Sequence, residues 1–283
     1  MDSGFYVNIG SLADNKFYIA YFNGFKEGMP TYHLHDTFEI TLVVQGNCRI
    51  LFDGKLEETT GACLVVFPPN TLHRMLNEKD KIYERYNVHF DKSIIDKNLS
   101  LFLNFYEIIN EPFVIPLSSR ETDKILYYIN QITEYTKCGV NDEYIKKSQI
   151  LYLGLILNET INFFKIRQPM AINKNPHNYI NDVLLNIEEN IKSNFKVNAV
   201  GIAQRFNISR SKLDMDFKRE TGINLNEYLI LMRIKNAQKL LCGGYSILES
   251  SMMSGFNDMS HFMRSFKKHV GITPAQYAKK YSL

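Results

Sequence analysis

Cysteine is scarce in this 283-residue chain. Cys48, Cys63, Cys138 and Cys242 lie far apart, with no CxxC and no metal-knuckle spacing. That excludes a zinc finger or dithiol redox motif and leaves them as small core residues. No run of about 18 apolar residues occurs, so no segment is expected to cross a membrane as a helix. The opening Met1-Asp2-Ser3-Gly4 lacks the basic then apolar order of an export signal, and a soluble, cytoplasmic protein is expected. A P-loop, a GxSxG elbow and an HExxH pair are all missing, which removes the enzyme classes they mark. No enzyme activity and no cofactor are expected. Net charge is small, +3, but unevenly placed. Residues 177–283 hold 15 Lys+Arg against 9 Asp+Glu, whereas residues 1–176 hold 18 against 21. The basic surplus therefore points to a polyanion partner for the C-terminal part alone.

What is present falls into two halves, and the length favours two domains. From Phe5 to about Asp91, short strands are expected at Phe17 to Phe22, Glu39 to Val44, Cys48 to Phe52, Cys63 to Phe67 and Ile82 to Phe90. Turn signals such as Asp53-Gly54 separate them, which predicts an antiparallel sandwich or barrel. Arg120 to Cys138 and about Asp142 to Lys165 read as amphipathic helices. Their apolar stripes must be buried against the barrel, each other or a second subunit. Gln168 to Pro176, with two prolines and little periodicity, reads as a linker. The expected division is a barrel over 1–115, a helical dimerisation or packing segment over 116–167, the linker over 168–176 and an all-helical domain over 177–283.

Within that last domain, two segments repeat one plan of helix, tight turn and helix. In Asn198 to Thr221, an apolar-faced helix ends at Asn207-Ile208, and Ser209 caps a second helix carrying Leu213 and Phe217 at i, i+4. In Ser246 to Gly271, the helix Ile247 to Met253 turns at Gly255, and Asp258 caps a helix carrying Phe262 and Phe266. Leu225 to Leu241 joins them and spans roughly 25 Å at helical rise. Two such units on one face of B-DNA would address major-groove segments about 34 Å apart.

The run Phe217-Lys218-Arg219-Glu220-Thr221-Gly222, then Tyr228-Leu229, Arg233, Ala237, Leu240-Leu241, Ser246-Ile247, Gly255-Phe256, Phe262, Arg264, Phe266-Lys267-Lys268, Gly271, Thr273-Pro274 and Tyr277, resembles the DNA-binding domain of the AraC/XylS family of bacterial transcription regulators. The resemblance covers about residues 178–281 and implies two helix-turn-helix units on one linker helix, binding double-stranded promoter DNA. It implies a regulator controlled at the N-terminal domain, with RNA polymerase as a partner if it activates. By physical reading, Phe217, Phe262, Phe266, Leu240 and Ile247 belong to the core, so DNA contact falls to exposed positions. Those are Arg210, Ser211, Lys212, Asp214 and Met215 in the first unit and Met259, Ser260, Met263 and Arg264 in the second, with Lys267 and Lys268 near phosphate. Arg264 is the candidate base reader, since a guanidinium bonds guanine O6 and N7 bidentately. The chain departs from the family at Met215, where arginine is common, and at Asp216, where an apolar residue is common. Asp214 and Asp216 together are expected to place negative charge towards phosphate unless Asp214 accepts from cytosine N4. Ser250, Ser251 and Ser254 replace apolar or small residues, so the first helix of the second unit is expected to pack marginally.

His33-Leu34-His35, Glu39 and Gly46 resemble the first cupin motif, whose two histidines and glutamate bind metal, and Gly61, Pro68, His73 and Asn77 approximate the second. His33, His35 and Glu39 share parity on an extended chain and can point to one face, where His73 can join them. Phe38, Ile40, Leu42 and Val44 form the opposite, more apolar face. Three readings stand: metal ligation by His33, His35, Glu39 and His73, the polar lining of an effector pocket, and hydrogen bonding alone. AraC-type sensor domains often keep these histidines without metal, as the resemblance implies, and the pocket for a small polar effector is the reading adopted. Arg49 and Tyr86, with Tyr6, Tyr18 and Tyr21, are further candidates for its wall, and residues 2–16 form an arm that could close over it. Two other readings remain, a metal-dependent cupin enzyme fused to a DNA-binding tail and a ligand-free interaction module. The helices over Arg120 to Cys138 and Asp142 to Lys165 are the candidates for homodimerisation.

Overall fold

A computed structural model describes residues 5–7, 17–24, 32–33, 35–78, 81–99, 105–137, 143–167, 179–193 and 197–281. The expected linker, Cys138 and most of the 2–16 arm lie outside them. The architecture is α+β in the N-terminal half and all-α in the C-terminal half. Strands β1 (Phe5–Val7), β2 (Phe17–Gly24), β3 (Phe38–Gln45), β4 (Asn47–Phe52), β5 (Lys55–Thr60), β6 (Cys63–Phe67), β7 (His73–Asn77) and β8 (Tyr83–Phe90) precede the short helices α1 (Lys92–Asn98) and α2 (Phe105–Ile108). Strand β9 (Phe113–Pro116) and the long helices α3 (Ser119–Lys137) and α4 (Glu143–Ile166) complete this half.

The strands form two antiparallel sheets, β1-β2-β8-β3-β6-β9 and β5-β4-β7. Asp53 and Gly54 both take positive φ, 43° and 74°, which is the turn that matches strand twist in a two-residue hairpin. Strand parity then sorts the side chains into layers. Phe38, Ile40 and Leu42 of β3 and Val88 and Phe90 of β8 face outward onto α3 and α4 and share a core with Ile125, Ile129, Leu153 and Leu157. The alternate residues face the space between the sheets, where Val43, Cys48, Ile50, Cys63, Val65, Phe67, Met75 and Tyr83 pack at one end. Strands β5 and β7 escape a hydrophobicity reading because Lys55–Thr60 and His73–Asn77 are largely polar.

The C-terminal half comprises α5 (Tyr179–Lys192), α6 (Ala199–Arg205), α7 (Arg210–Thr221), α8 (Leu225–Cys242), α9 (Ile247–Met253), α10 (Met259–Val270) and α11 (Pro274–Tyr281). Each helix start in the two repeated units has a side-chain cap: Asn198 for α6, Ser209 for α7, a Ser246–Glu249 capping box for α9 and Asp258 for α10. Gly222 ends α7 with φ 72° in the left-handed region. The two halves share a core. Leu51, Leu56, Leu72 and Leu76, from the outer face of the three-stranded sheet, pack with Ile180, Val183, Leu184, Ile187, Leu225, Tyr228 and Met232. At about 1.5 to 3 kcal/mol for each fully buried leucine, this contact is a substantial part of the stability of both halves. The sheet is thus a wall with the N-terminal interior on one side and the helix-turn-helix domain on the other.

Candidate functional site

The interior between the sheets is polar at the end away from Cys48 and Cys63. Glu39 stands at its centre, 1 % exposed. Thr41 Oγ1 donates to its Oε1 at 2.8 Å, and Asn87 Nδ2 donates to the same oxygen. Its Oε2 meets His35 Nε2 at 3.0 Å, His73 Nε2 at 3.1 Å and His89 Nε2 at 3.6 Å. Burial by itself would raise the Glu39 carboxyl, but the histidines and these hydrogen bonds hold it well below the usual carboxylate range. Burial lowers His89 to about 4, and burial with the neighbouring His73 lowers His33 to about 4, so both are neutral at pH 7. For His35, burial is outweighed by its bond to Glu39, and its pKa is raised.

The ring nitrogens on the far side matter as much. His35 Nδ1 lies 3.0 Å from the carbonyl of Thr37, and His73 Nδ1 lies 2.9 Å from that of Thr71. A ring nitrogen facing a carbonyl must carry a proton, so each Nε2 aimed at Glu39 belongs either to an imidazolium or to a neutral ring whose lone pair is free for a cation. The second arrangement is how a metal-ligating histidine is oriented by its outer partner. Donor atoms of His35, Glu39 and His89 lie within 4.8 Å of one another, so these residues fit a metal ion.

His33, His35, Glu39 and His73 therefore do converge. His33 is bridged to His73 through the backbone, their rings stack with centroids 6.0 Å apart, and His33 Nε2 is buried without a hydrogen-bond partner among the described residues. Tyr18 also faces this space, stacked on His89 at 4.3 Å. Three expected wall residues, Arg49, Tyr86 and Tyr21, do not. Arg49 shares strand parity with Leu51 and pairs outward with Glu220 of α7 at 3.1 Å. Tyr86 stands opposite Leu42 and packs on the helix-covered face beside Tyr21, ring centroids 4.6 Å apart. Nothing is described of the Tyr6 side chain. His89, Asn87 and Thr41 went unanticipated, yet a signal exists. In β8 the alternation Arg85, Asn87, His89 against Tyr86, Val88, Phe90 marks a strand with one polar and one apolar face, both buried.

The second site is the outer face of the helix-turn-helix units. Ser211, Lys212, Met215, Ser260, Arg264, Lys267 and Lys268 are exposed, while Arg210, Asp214, Met259 and Met263 are half-buried. The expected burden of negative charge is corrected in part. Asp216 is 2 % exposed and accepts from Tyr179 at 2.7 Å and Lys212 at 2.8 Å, and pairs with Arg219 at 2.9 Å. It ties α5 to α7 and does not stand on the open face. Asp214 is paired with Arg210 at 2.6 Å. In the second unit Ser250 and Ser254 are buried, and their hydroxyls lack a hydrogen-bond partner.

A domain with a buried polar interior, sharing a core with two helix-turn-helix units whose recognition faces are open, defines a ligand-responsive, DNA-binding regulator of transcription. Residues 20–120 match the AraC-like ligand binding domain and residues 202–280 a helix-turn-helix domain. The chain belongs to the AraC/XylS family of transcription regulators, which are not enzymes. It is 28 % identical over 188 residues to the Msm operon regulatory protein of Streptococcus mutans, covering 65 % of this chain and 62 % of that one. It is 23 % identical over 260 residues to the Melibiose operon regulatory protein of Escherichia coli, covering 89 % and 84 %. The structure of ToxT from Vibrio cholerae aligns over 95 % of this chain and 100 % of its own, at 13 % identity and a TM-score of 0.39. Among the described residues, no helix is long and apolar enough to cross a membrane.

Proposed function

We propose that this regulator reads DNA with Arg264, Lys212 and the exposed positions around them, and that its effector is a small polar molecule engaging the Glu39 and histidine cluster. The observation that carries the reading is the pairing of a buried, charged, histidine-lined interior with a DNA-facing surface held on the other side of one sheet. Relatives named as operon regulatory proteins support a role in the control of an operon. A homodimer is proposed through α4. Its solvent side carries Leu151 at 65 % and Leu155 at 42 % exposure, with Tyr144 and Ile166 towards the two ends, an apolar stripe that a second α4 would cover. If the protein activates, RNA polymerase is the further partner. The test is selection of binding sites from random duplex DNA by the full-length chain, with a salt titration of the winner against a scrambled duplex. An enriched site with two blocks about one helical turn apart is expected. Salt-sensitive binding without enrichment, in the presence and absence of candidate effectors, would refute sequence-specific reading.

A second reading is favoured by the approach of three donor atoms to within 4.8 Å and by the Nδ1 contact of His35: the effector is a divalent metal ion held by His35, Glu39 and His89. Bound there, the ion would supply charge to the interior and order the three side chains. Metal analysis after dialysis against trace Zn²⁺ or Ni²⁺ separates the two. About one equivalent in the wild type that is lost in His89→Gln supports the metal, and none retained supports the organic effector.

A further inference from the structure

We infer that the histidine cluster is wired to both helix-turn-helix units through the chain neighbours of its own residues, so that a ligand in the interior sets the pose of one unit relative to the other. The inference rests on the reading that the effector engages the cluster, and it names the route by which that binding is felt. The wall at this point is an antiparallel bridge beside a turn: His33 N donates to His73 O at 2.8 Å, His73 N to His33 O at 3.1 Å, and Asn70 N, in the turn, to His35 O at 2.8 Å. In extended backbone, adjacent side chains point to opposite faces. His33, His35 and His73 turn inward, and the residues beside them reach the DNA-binding domain.

One arm runs to the first unit. Arg74, next to His73 and 3 % exposed, donates from Nη1 to the carbonyl of Thr221 at 3.3 Å, the last residue of α7. Its guanidinium packs directly on Gly222, the residue whose left-handed backbone caps the recognition helix, where an added Cβ would meet it. A second arm runs to the other unit. Asp36, next to His35, accepts hydrogen bonds from Tyr281 and, at 3.4 Å, from Lys280, both on α11. Helix α11 in turn supports α10, through Tyr277 packed edge-on to Phe266 with ring centroids 5.5 Å apart. Between the arms, Tyr32, next to His33, meets Tyr228 of α8 edge-on at 5.5 Å.

The arms begin at one atom. Glu39 Oε2 lies about equally far from His35 and His73, at 3.0 and 3.1 Å. A ligand that displaces either imidazole from Glu39, or draws the two together, moves Asp36 relative to Arg74. Those two residues hold different units. Because the ligand must prefer one pose to shift the balance, the same coupling makes DNA of matching block spacing favour ligand binding.

The test is hydrogen exchange followed by mass spectrometry on the full-length, DNA-free protein. His89→Gln and Thr41→Val each disturb Glu39 from inside without touching the DNA-binding domain. Both are expected to change exchange at 219–223 and 274–281 by threefold or more, while 247–253 is unchanged. Adding Asp36→Asn should abolish the response at 274–281 and leave that at 219–223. Changes confined to residues 17–90, changes spread evenly over 247–253 as well, or a response at 274–281 that survives Asp36→Asn would each overturn the wiring. Failure of the DNA-reading proposal would appear separately, as absence of an enriched binding site, and would leave the exchange result standing.

Discussion

Arg264 is exposed in the middle of α10, two positions from each of the buried Phe262 and Phe266 and on the opposite side, and no carboxylate is paired with it among the described residues. Arg264→Ala should weaken specific DNA binding by ~1 to 3 kcal/mol and relax preference at one base pair. Unchanged preference in a second round of site selection would reassign it to phosphate. Ser250 and Ser254 offer a test of opposite sign. Their buried hydroxyls have no hydrogen-bond partner among the described residues, and such a group costs ~1 to 3 kcal/mol in desolvation. Ser250→Ala should therefore stabilise the protein by about 1 kcal/mol in denaturant unfolding, with DNA preference intact. A loss of stability would mean that the hydroxyl has a partner in solution, such as a bound water.

Glu57 on β5 is a further residue-scale case, since burial raises its carboxyl to about 7. The folded state then holds this proton more tightly than the unfolded chain, whose value is near the ordinary 4.5. Stability from this group is full below about 4.5 and is lost as pH rises through 7. Glu57→Gln should match the wild type in unfolding free energy at pH 4 and exceed it at pH 8, by about 1 to 2 kcal/mol once its partial exposure is allowed for. Equal stability at both values would mean that Glu57 is solvated.

At the scale of elements, the helix-turn-helix units were legible because their boundaries are set by local chemistry. Asn198, Ser209, Ser246 and Asp258 cap the helices at which they stand, and the i, i+4 pairs Leu213–Phe217 and Phe262–Phe266 lie on the buried stripes. The apolar strands β2, β3, β4, β6 and β8 were legible as strands, but not their partners, and the largely polar β5 and β7 were not. Arg49 and Tyr86 were assigned to the wrong face because period-2 parity says which residues share a side and not which side faces the interior. His89 was missed for the related reason that its strand reaches Glu39 only through the register of β8 on β3. Helix α4 shows the same limit in another form. Its amphipathic pattern covers the sheet, yet Leu151 and Leu155 remain outside. Leu151→Glu with Leu155→Glu should shift the protein from dimer to monomer in sedimentation at micromolar concentration. A wild type that is already monomeric would remove α4 from the account.

For the whole molecule, the decisive feature is the core shared by β4, β5 and β7 with α5 and α8. Arg49 to Glu220, Asp53 to Lys235 and Asn70 to Tyr277 add polar contacts around it. The fragment 177–283, deprived of Leu51, Leu56, Leu72 and Leu76, should unfold at least ~5 °C below the same domain within the full chain. Equal melting would show that the halves do not support one another in solution.

The sequence by itself determined the class of this protein. Helix caps, turn glycines, strand alternation and a basic C-terminal half are local or compositional properties, and each acts within a few residues of where it is read. Only the tertiary structure decided that His89, Asn87 and Thr41 join Glu39, that Asp216 turns inward to Tyr179, and that Arg74 ends against Gly222. Apart from Thr41, which meets Glu39 from two positions along the same strand, those contacts join residues tens to more than a hundred positions apart. They depend on strand register and on how one sheet packs between two domains, which no short-range pattern encodes.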